Sequence, residues 1–219
     1  MSLAYLPKKI MSLKVHQLLV GSYANFVYVL VDEATKDAVI IDPAWDVPAL
    51  LNIITENSYN LKAIWLTHAH GDHVEGIPAV LAAHPDLPVW LSPNEHEKYR
   101  PAMPLHDIGD TLQLGNLTID VIHSPGHSPG GVCFKYGDDM IAGDSLFIDG
   151  CGRCDLVGSD PNAMFNSIHT KLMTLPDSTI IYPGHNYGPA ASDTLGNQKK
   201  TNRFMLATTS EAFIKERMG

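Results

Sequence analysis

The chain has 219 residues, of which 45% are hydrophobic and 18% are charged, and its formal net charge is −9. This length is enough for a well-buried core, so we expect a single domain over residues 1–219. The acidic charge argues against nucleic acid as a partner, because phosphate binding requires a basic surface. No apolar run approaches the roughly 20 residues that cross a bilayer, so we expect no membrane segment.

Cysteine usage and the N-terminus both favour the cytoplasm. Cys133, Cys151 and Cys154 are an odd number of cysteines, which indicates a reducing compartment rather than a disulfide framework. Residues 1–10 lack the features of a secretory signal, and we expect a tag or a disordered arm there. Cys151 and Cys154 have the spacing of a redox pair or of half a zinc site, but no second such pair completes four sulfur ligands.

The first half of the chain alternates strands and helices. The pattern predicts strands over residues 15–20, 26–31, 38–41, 62–66 and 88–91. It also predicts helices over residues 47–54, 76–83 and 93–99, the last of them capped by Ser92. The strand over 62–66 is apolar on both sides, as expected for a sheet that is covered on both faces.

The second half repeats this order. Strands are predicted over residues 111–114, 117–123, 131–136, 140–142 and 179–182, with a helix over 160–173 before the last strand. We expect residues 192–219 to form a polar helical tail in two pieces that contributes little to the core and acts as a lid. Two similar halves suggest two sheets packed face to face with helices outside.

A dense group of potential metal ligands follows the strand over residues 62–66. His68, His70, Asp72 and His73 lie within six consecutive positions. Imidazole nitrogens and carboxylates are ligands of zinc, iron and manganese, and two neighbouring divalent ions need about this many donors. His68 and His70 lie on one side of an extended segment, so we expect a loop rather than the helical H-E-x-x-H arrangement.

Three later turns place a similar residue directly after a strand. They are Ser124-Pro125-Gly126-His127, Ala142-Gly143-Asp144 and Tyr182-Pro183-Gly184-His185. Glycine and proline fix tight turns that can aim a side chain into a cleft. A single histidine or aspartate in a turn is more often a cap or a surface residue. Because the turns and the first loop together supply seven donors, the joint pattern favours a metal site.

In this order the motifs T-H-A-H-G-D-H, S-P-G-H, A-G-D and P-G-H resemble those of the metallo-β-lactamase superfamily over essentially the whole chain. The resemblance implies an α/β fold, a four-layer αββα sandwich of two mixed β-sheets with the site at one edge. It also implies two divalent metal ions, with zinc favoured over iron or manganese. The implied ligands are His68, His70 and His127 for one metal, Asp72, His73 and His185 for the second, and Asp144 as the bridge.

The stretch from Gly143 to Arg153 is similar to the G-D-x-L-F-x-x-G-C-G-[KR] run of glyoxalase II proteins and their relatives. In those proteins the basic residue helps bind glutathione, which implies a substrate-binding role for Arg153. The alternative is an ion pair of Arg153 with Asp149 or Asp155. Tyr187 is placed to line the same pocket. The segment from Asp193 onwards resembles the tail of shorter bacterial relatives, with Arg203 where proline is usual.

This resemblance implies hydrolysis of a thioester that joins a small acyl group to glutathione or a related thiol carrier. Two metals would lower the pKa of a bridging water to about 7 and so provide a metal-bound hydroxide. Asp72 would orient this nucleophile or accept its proton. A thiol of pKa roughly 8.5 leaves as a thiolate without a strong general acid.

Two alternatives stay open. The Cys-Gly-Arg-Cys-Asp stretch and the short tail also resemble persulfide dioxygenases, which use a single Fe(II); here its ligands would be His68, His127 and Asp144. Cys154 in place of the usual threonine counts against this reading. A catalytically silent binding module is disfavoured because every ligand-type residue is retained. The sequence leaves open the metal, the acyl group and whether the protein forms a homodimer.

Overall fold

The computed structural model describes residues 12–96, 99 and 104–219. The tag or arm predicted over residues 1–10 lies outside these residues, as do positions 97 and 98 of the helix predicted over 93–99. The described residues form two mixed six-stranded sheets. They confirm the predicted α/β architecture of paired sheets.

The first sheet contains the first six strands in sequence order. Strands β1 to β3 are antiparallel, and β3 to β6 run parallel to one another. The strands are β1 (Leu13–Val20), β2 (Asn25–Asp32), β3 (Asp37–Ile41), β4 (Asn60–Trp65), β5 (Val89–Leu91) and β6 (Leu105–Asp107). The helices of this half are α1 (Val47–Glu56), α2 (Gly71–Val74) and α3 (Ile77–Ala83), followed by a single 3₁₀ turn at Pro93–Glu95.

The second sheet contains the other six strands, and only β10 and β11 pair in parallel. The strands are β7 (Thr111–Leu114), β8 (Leu117–His123), β9 (Val132–Tyr136), β10 (Asp139–Gly143), β11 (Ile180–Pro183) and β12 (Asp193–Thr194). The helices are α4 (Pro161–Asn166), which continues as π and 3₁₀ turns to Thr174, and then α5 (Leu195–Thr201), α6 (Arg203–Leu206) and α7 (Ser210–Met218). The α4 helix starts as predicted, because the Asp160 side chain accepts hydrogen bonds from the first-turn amides.

Strand β2 shows how the layers are held together. Its eight residues are all buried. Alternate side chains point to opposite faces of the sheet, and both faces are covered by a core. Phe26, Tyr28 and Leu30 enter the core between the two sheets. Val27, Val29 and Val31 enter the core between the first sheet and its helices. A third core lies between the second sheet and the helices of the second half, which completes the four layers.

The prediction that the tail contributes little to the core is wrong. The tail forms three helices, and four of its apolar side chains are buried in the third core: Leu195, Phe204, Met205 and Phe213. The sequence did not indicate these buried side chains, because the tail is polar overall and a surface helix needs only a narrow apolar stripe to pack against a core.

Two local predictions were also wrong. The His-rich stretch is a loop only as far as His70, since Gly71–Val74 form the α2 helix. The turn at Pro93–Glu95 is shorter than predicted over the described residues, and Ser92 makes no capping hydrogen bond through its side chain. No helix in the described part of the chain is both long and apolar enough to cross a membrane.

Replacement of Phe213 by alanine tests the contribution of the tail to stability. Phe213 is fully buried and packs against Phe165 and Phe204. We expect Phe213→Ala to lower the free energy of unfolding by about 3–5 kcal/mol, because it leaves a cavity in the core. Equilibrium unfolding in urea measures this change. Lys215→Ala, an exposed control on the same helix, should change stability by less than about 0.5 kcal/mol. A loss below about 1 kcal/mol in Phe213→Ala would show that the tail is dispensable.

Candidate metal centre

One edge of the sandwich gathers the turns that follow the strands. Backbone hydrogen bonds join the two sheets there: Phe26 N donates to Gly184 O at 2.8 Å, and Val132 N donates to Thr67 O at 2.9 Å. The loops that carry the predicted ligands therefore converge on one site, although they lie far apart in the sequence.

Two glycines allow the loops to approach this closely. Gly143 has a φ of +48°, and a Cβ atom there would lie 2.6 Å from Thr67 Oγ1. A Cβ atom at Gly184 would collide with the Asp144 carboxylate. Both positions therefore require glycine.

Three of the predicted ligands form a first cluster. His70 Nδ1 lies 3.1 Å from His68 Nε2 and 2.8 Å from His127 Nε2. His68 and His127 are buried, and His70 is partly exposed at the floor of a cleft. Three imidazole nitrogens that meet at these distances match the ligand set of a divalent transition metal.

Three further predicted ligands form a second cluster. His73 Nε2 and His185 Nε2 are 3.3 Å apart, and Asp72 Oδ2 lies 3.4 Å from His185 Nε2. Asp72 and His73 come from the first turn of α2, whereas His185 follows β11. The grouping matches the second ligand set that the resemblance implies.

Asp144 lies between the two clusters. Its Oδ2 atom is 3.3 Å from His127 Nε2 and 3.4 Å from His185 Nε2, and its Oδ1 atom is 3.5 Å from His73 Nε2. Burial disfavours its charge, but the surrounding histidines hold the pKa of Asp144 well below its usual range. Asp144 Oδ1 is buried and has no hydrogen-bond partner among the described residues. A bridging ligand would have these properties.

Hydrogen bonds behind the rings orient the histidines. His127 Nδ1 lies 2.8 Å from the backbone carbonyl oxygen of Arg153, and His185 Nδ1 lies 2.9 Å from that of Tyr23. A carbonyl oxygen only accepts, so Nδ1 carries the proton and Nε2 of the neutral ring presents a lone pair to the site. Lone pairs that face one another repel unless a proton or a metal ion lies between them. The residues therefore fit bound metal ions.

Asp42 is a functional residue that sequence reasoning missed. Its buried carboxylate accepts hydrogen bonds from Thr67 N at 2.7 Å and from Thr67 Oγ1 at 2.5 Å, and it lies 2.9 Å from His73 Nδ1. Thr67 Oγ1 is in turn 3.0 Å from His68 Nδ1. Asp42 thus supports one histidine of each cluster. The only signal in the sequence is a polar residue directly after the strand predicted over residues 38–41.

Glu95 is a second residue that the sequence did not reveal. It is fully buried, and its carboxylate accepts hydrogen bonds from Ala69 N at 3.2 Å and from Gly130 N at 2.6 Å. These amides belong to the loops that carry His68, His70 and His127. Glu95 therefore holds the two loops of the first cluster against each other.

A cleft of about 880 Å³ opens above the two clusters. Arg153 and Tyr187 both line it. The Tyr187 ring is 59% exposed and stacks on the His185 ring, with centroids 4.6 Å apart. The guanidinium of Arg153 forms two hydrogen bonds to Asp155, at 2.7 and 2.6 Å. This is the ion pair proposed as the alternative for Arg153, so its role in substrate binding stays a prediction.

The Cys-x-x-Cys pair is not a disulfide. Cys151 and Cys154 are both free and buried. Burial raises the pKa of both thiols, to about 11 for Cys154. A buried thiol with a raised pKa is inert at neutral pH, which disfavours a redox role.

Removal of the Asp42 charge tests its support of the histidines. We expect Asp42→Asn to weaken zinc binding by about 10- to 100-fold, because the amide cannot accept all the hydrogen bonds of the carboxylate. Titration of the metal-free protein with zinc against a competing chelator measures the affinity. Asp37→Asn is the matched control, since Asp37 lies at the other end of β3 and pairs with Lys62. Equal affinity in Asp42→Asn and the wild type would contradict the assigned role.

Metal binding should release protons. Burial disfavours the charged form of His73, but Asp144 and the hydrogen bond to Asp42 outweigh it and raise the pKa of His73 to about 9 in the metal-free protein. The ring is therefore protonated at pH 7 and must lose its proton to become a ligand. We expect metal affinity to rise with pH up to about pH 9, by about tenfold per unit for each proton released. Calorimetry in buffers of different ionisation enthalpy counts these protons, and equal release at pH 7 and pH 10 would contradict the expectation.

Comparison with known proteins yields relatives with different activities. The chain is 32% identical to a probable polyketide biosynthesis zinc-dependent hydrolase, BaeB, of Bacillus velezensis, over 88% of this chain and 86% of that protein. It is 34% identical to the hydroxyacylglutathione hydrolase GloC of Haemophilus influenzae, over 80% and 91% of the two chains. It is 32% identical to the human mitochondrial persulfide dioxygenase ETHE1, over 87% and 75%.

The fold is also found in solved structures. The crystal structure of ETHE1 from Myxococcus xanthus superposes with a TM-score of 0.84 at 28% identity, over 94% of this chain and 91% of that one. The sequence model of the metallo-beta-lactamase superfamily matches residues 21–185, which include all seven predicted metal ligands. The chain therefore belongs to the metallo-β-lactamase superfamily.

Proposed function

We propose that this protein is a metal-dependent hydrolase that cleaves the thioester of a small acyl group with glutathione or a related thiol carrier. The observation that carries the proposal is the pair of donor clusters that share Asp144 at the floor of one cleft. When bound, two divalent ions would polarise a carbonyl group and lower the pKa of a water molecule to about 7.

The complete second cluster supports hydrolysis. A mononuclear site would need only His68, His127 and Asp144, yet the rings of His73 and His185 are oriented just as firmly through their outer nitrogens. The inner nitrogens of these two buried rings lie 3.3 Å apart, a distance at which their lone pairs repel unless a proton or a metal ion lies between them. Their arrangement is most simply explained by a second ion.

Asp72 is placed to handle the proton of the attacking water. Its carboxylate lines the cleft, and its Oδ2 atom accepts a hydrogen bond from Asn25 Nδ2 at 3.1 Å. The same Asn25 group also donates to the backbone oxygen of Asp72 at 3.0 Å, which fixes the start of α2. Asp72 can therefore orient the nucleophile or accept its proton without moving.

The walls of the cleft suit the acyl end of a thioester. Phe147 contacts both His185 and Tyr187 edge to face, with ring centroids 5.7 Å apart in each pair. These rings exclude water from one side of the site and provide apolar surface for an acyl chain. The thiolate that leaves needs no strong acid, because a thiol pKa of roughly 8.5 already makes it a stable product at neutral pH.

Metal content and turnover together test this proposal. We expect protein purified without added metal to bind two equivalents of zinc and to hydrolyse S-lactoylglutathione, with activity lost on chelation and restored by zinc. His127→Ala should lose at least about 100-fold in kcat/KM together with part of its zinc, because it removes a ligand of the first cluster. His123→Ala is the control, since His123 ends β8 outside the site. Full turnover in His127→Ala would contradict the proposal.

A second candidate function is oxidation of a persulfide with a single iron. It is favoured by the similarity to human persulfide dioxygenase, together with the contact of 3.3 Å between His127 and Asp144, two of the three implied ligands. Oxygen uptake with glutathione persulfide after iron loading, without hydrolysis of S-lactoylglutathione, would establish this alternative instead.

A further inference from the structure

A tight turn over residues 147–150 borders the cleft. Phe147 N donates to Gly150 O at 2.9 Å, and Gly150 N donates to Phe147 O at 3.4 Å. Asp149 in this turn has a φ of +57°, a left-handed conformation that is unfavourable for a residue with a Cβ atom. A strained turn keeps its shape only where the surrounding structure imposes it.

The segment that follows the turn supports two of the predicted metal ligands. Arg153 O accepts the hydrogen bond from His127 Nδ1 at 2.8 Å, and Gly152 N donates to Asp144 O at 3.0 Å. The packing is close, since a Cβ atom at Gly152 would collide with Asp144 O and would lie 2.8 Å from His127 Cγ. A shift of the turn would therefore move the acceptor that orients His127.

Asn202 of the tail binds both ends of this turn. Its buried Nδ2 group donates to Gly150 O at 3.0 Å and to Phe147 O at 3.3 Å. Its Oδ1 atom accepts a hydrogen bond from Phe204 N at 3.0 Å, which caps α6. One amide group therefore joins the start of a tail helix to the carbonyl oxygens of the turn.

Gln198 of α5 binds the middle of the turn. Its Oε1 atom accepts hydrogen bonds from Asp149 N at 2.7 Å and from Asn202 Nδ2 at 3.2 Å, and its Nε2 group donates to Asp149 Oδ1 at 3.3 Å. Thr201 Oγ1 donates to the same carboxylate oxygen at 2.6 Å. The tail thus binds Asp149 through its backbone and its side chain, and so stabilises its left-handed conformation.

Docking of the tail does not explain these two amides. Gln198 and Asn202 are both buried, and a buried polar side chain is costly unless it is hydrogen-bonded. The tail packs on the third core through apolar side chains such as Leu195 and Phe213. Amides at positions 198 and 202 add something that apolar side chains cannot provide, a donor and an acceptor at defined points of the turn.

We propose that Gln198 and Asn202 are positioning residues of the candidate metal centre. They set the turn over residues 147–150 and, through Arg153 O, the orientation of His127. The tail thereby acts on the first donor cluster through the protein backbone. The kinetic part of the test rests on the proposed function, whereas the parts that measure hydrogen bonding and metal binding do not.

Two variants change the contacts with the turn and conserve the shape of the tail. Asn202→Asp keeps the oxygen that caps α6 and replaces the donor by an oxygen that repels Gly150 O and Phe147 O. Gln198→Met has nearly the same shape and suits a helix, but it neither donates to Asp149 nor binds its amide as glutamine does.

Two controls separate positioning from stability. Asn197→Asp makes the same chemical change at an exposed position of α5, where Asn197 Nδ2 donates to Asp193 Oδ2 at 2.9 Å. Phe213→Ala weakens the packing of the tail at a buried site among the rings of Phe165 and Phe204.

Hydrogen exchange at the His127 ring tests the proposal directly. NMR of the zinc-loaded protein follows the Nδ1 proton, which we expect to exchange about 10-fold faster in Asn202→Asp and Gln198→Met, because its acceptor is less firmly held. Both variants should also bind zinc about 10-fold more weakly in competition with a chelator. The two controls should match the wild type within about twofold in both measurements, at a temperature at which they are folded.

Three outcomes would overturn the proposal. The first is wild-type exchange and zinc affinity in both Asn202→Asp and Gln198→Met. The second is an equally large effect in Phe213→Ala, which would assign the effect to stability of the tail. The third is failure of both variants to fold, which urea unfolding would reveal.

Kinetics extend the test to the reaction. With S-lactoylglutathione, Asn202→Asp and Gln198→Met should lower kcat about 10-fold and leave KM within about twofold, because they disturb the donor cluster. A rise in KM with unchanged kcat would overturn the proposal, since the turn would then act on the substrate alone. If the wild type does not hydrolyse this thioester, the proposed function fails, while the exchange and zinc measurements still decide the roles of Gln198 and Asn202.

Discussion

The candidate site depends on imidazole nitrogens that the fold holds close together, although their lone pairs would repel one another. Each ring of His73, His127 and His185 is held from behind by an acceptor, so its inner nitrogen has no freedom to turn away. Burial makes this arrangement more demanding, because desolvation disfavours positive charge on the rings; it lowers the pKa of His68 well below its usual value. The fold therefore holds these nitrogen atoms so close together that protons or metal ions must lie between them, as the raised pKa of His73 indicates for the metal-free protein.

The scaffold can hold this arrangement because the two sheets are joined at the site. The hydrogen bond from Val132 to Thr67 links the His68 loop directly to the second sheet, and that from Phe26 to Gly184 links the first sheet to the His185 loop. Cores lie on both faces of each sheet, so neither loop can move without disturbing close-packed side chains. The rigid support that ring orientation requires is therefore built from ordinary packing.

The sequence predicted much of this site for an identifiable reason. Ligands that directly follow strands are visible as motifs, because the strand pattern and the turn residues mark their positions; all seven converge as expected. Asp42 and Glu95 were not predicted, because their roles depend on hydrogen-bond partners 25 to 35 residues away in the sequence, and no local pattern indicates such a pairing. The α2 helix was not predicted, because its four residues are too few to show helical periodicity.

The tail shows why the residues that shape the cleft are harder to predict from sequence than the candidate metal ligands. Its apolar residues dock it on the second sheet, and the same docking delivers Arg203 and Arg217 to the cleft. In sequence these arginines look like solvated charges on short polar helices, and only the packing around Phe204 distinguishes them. Because the predicted metal ligands lie in the loops and the tail arginines line another part of the cleft, a change in these arginines can alter the shape and charge of the cleft without altering the donor clusters. This division is compatible with relatives as different as a zinc-dependent hydrolase and a persulfide dioxygenase.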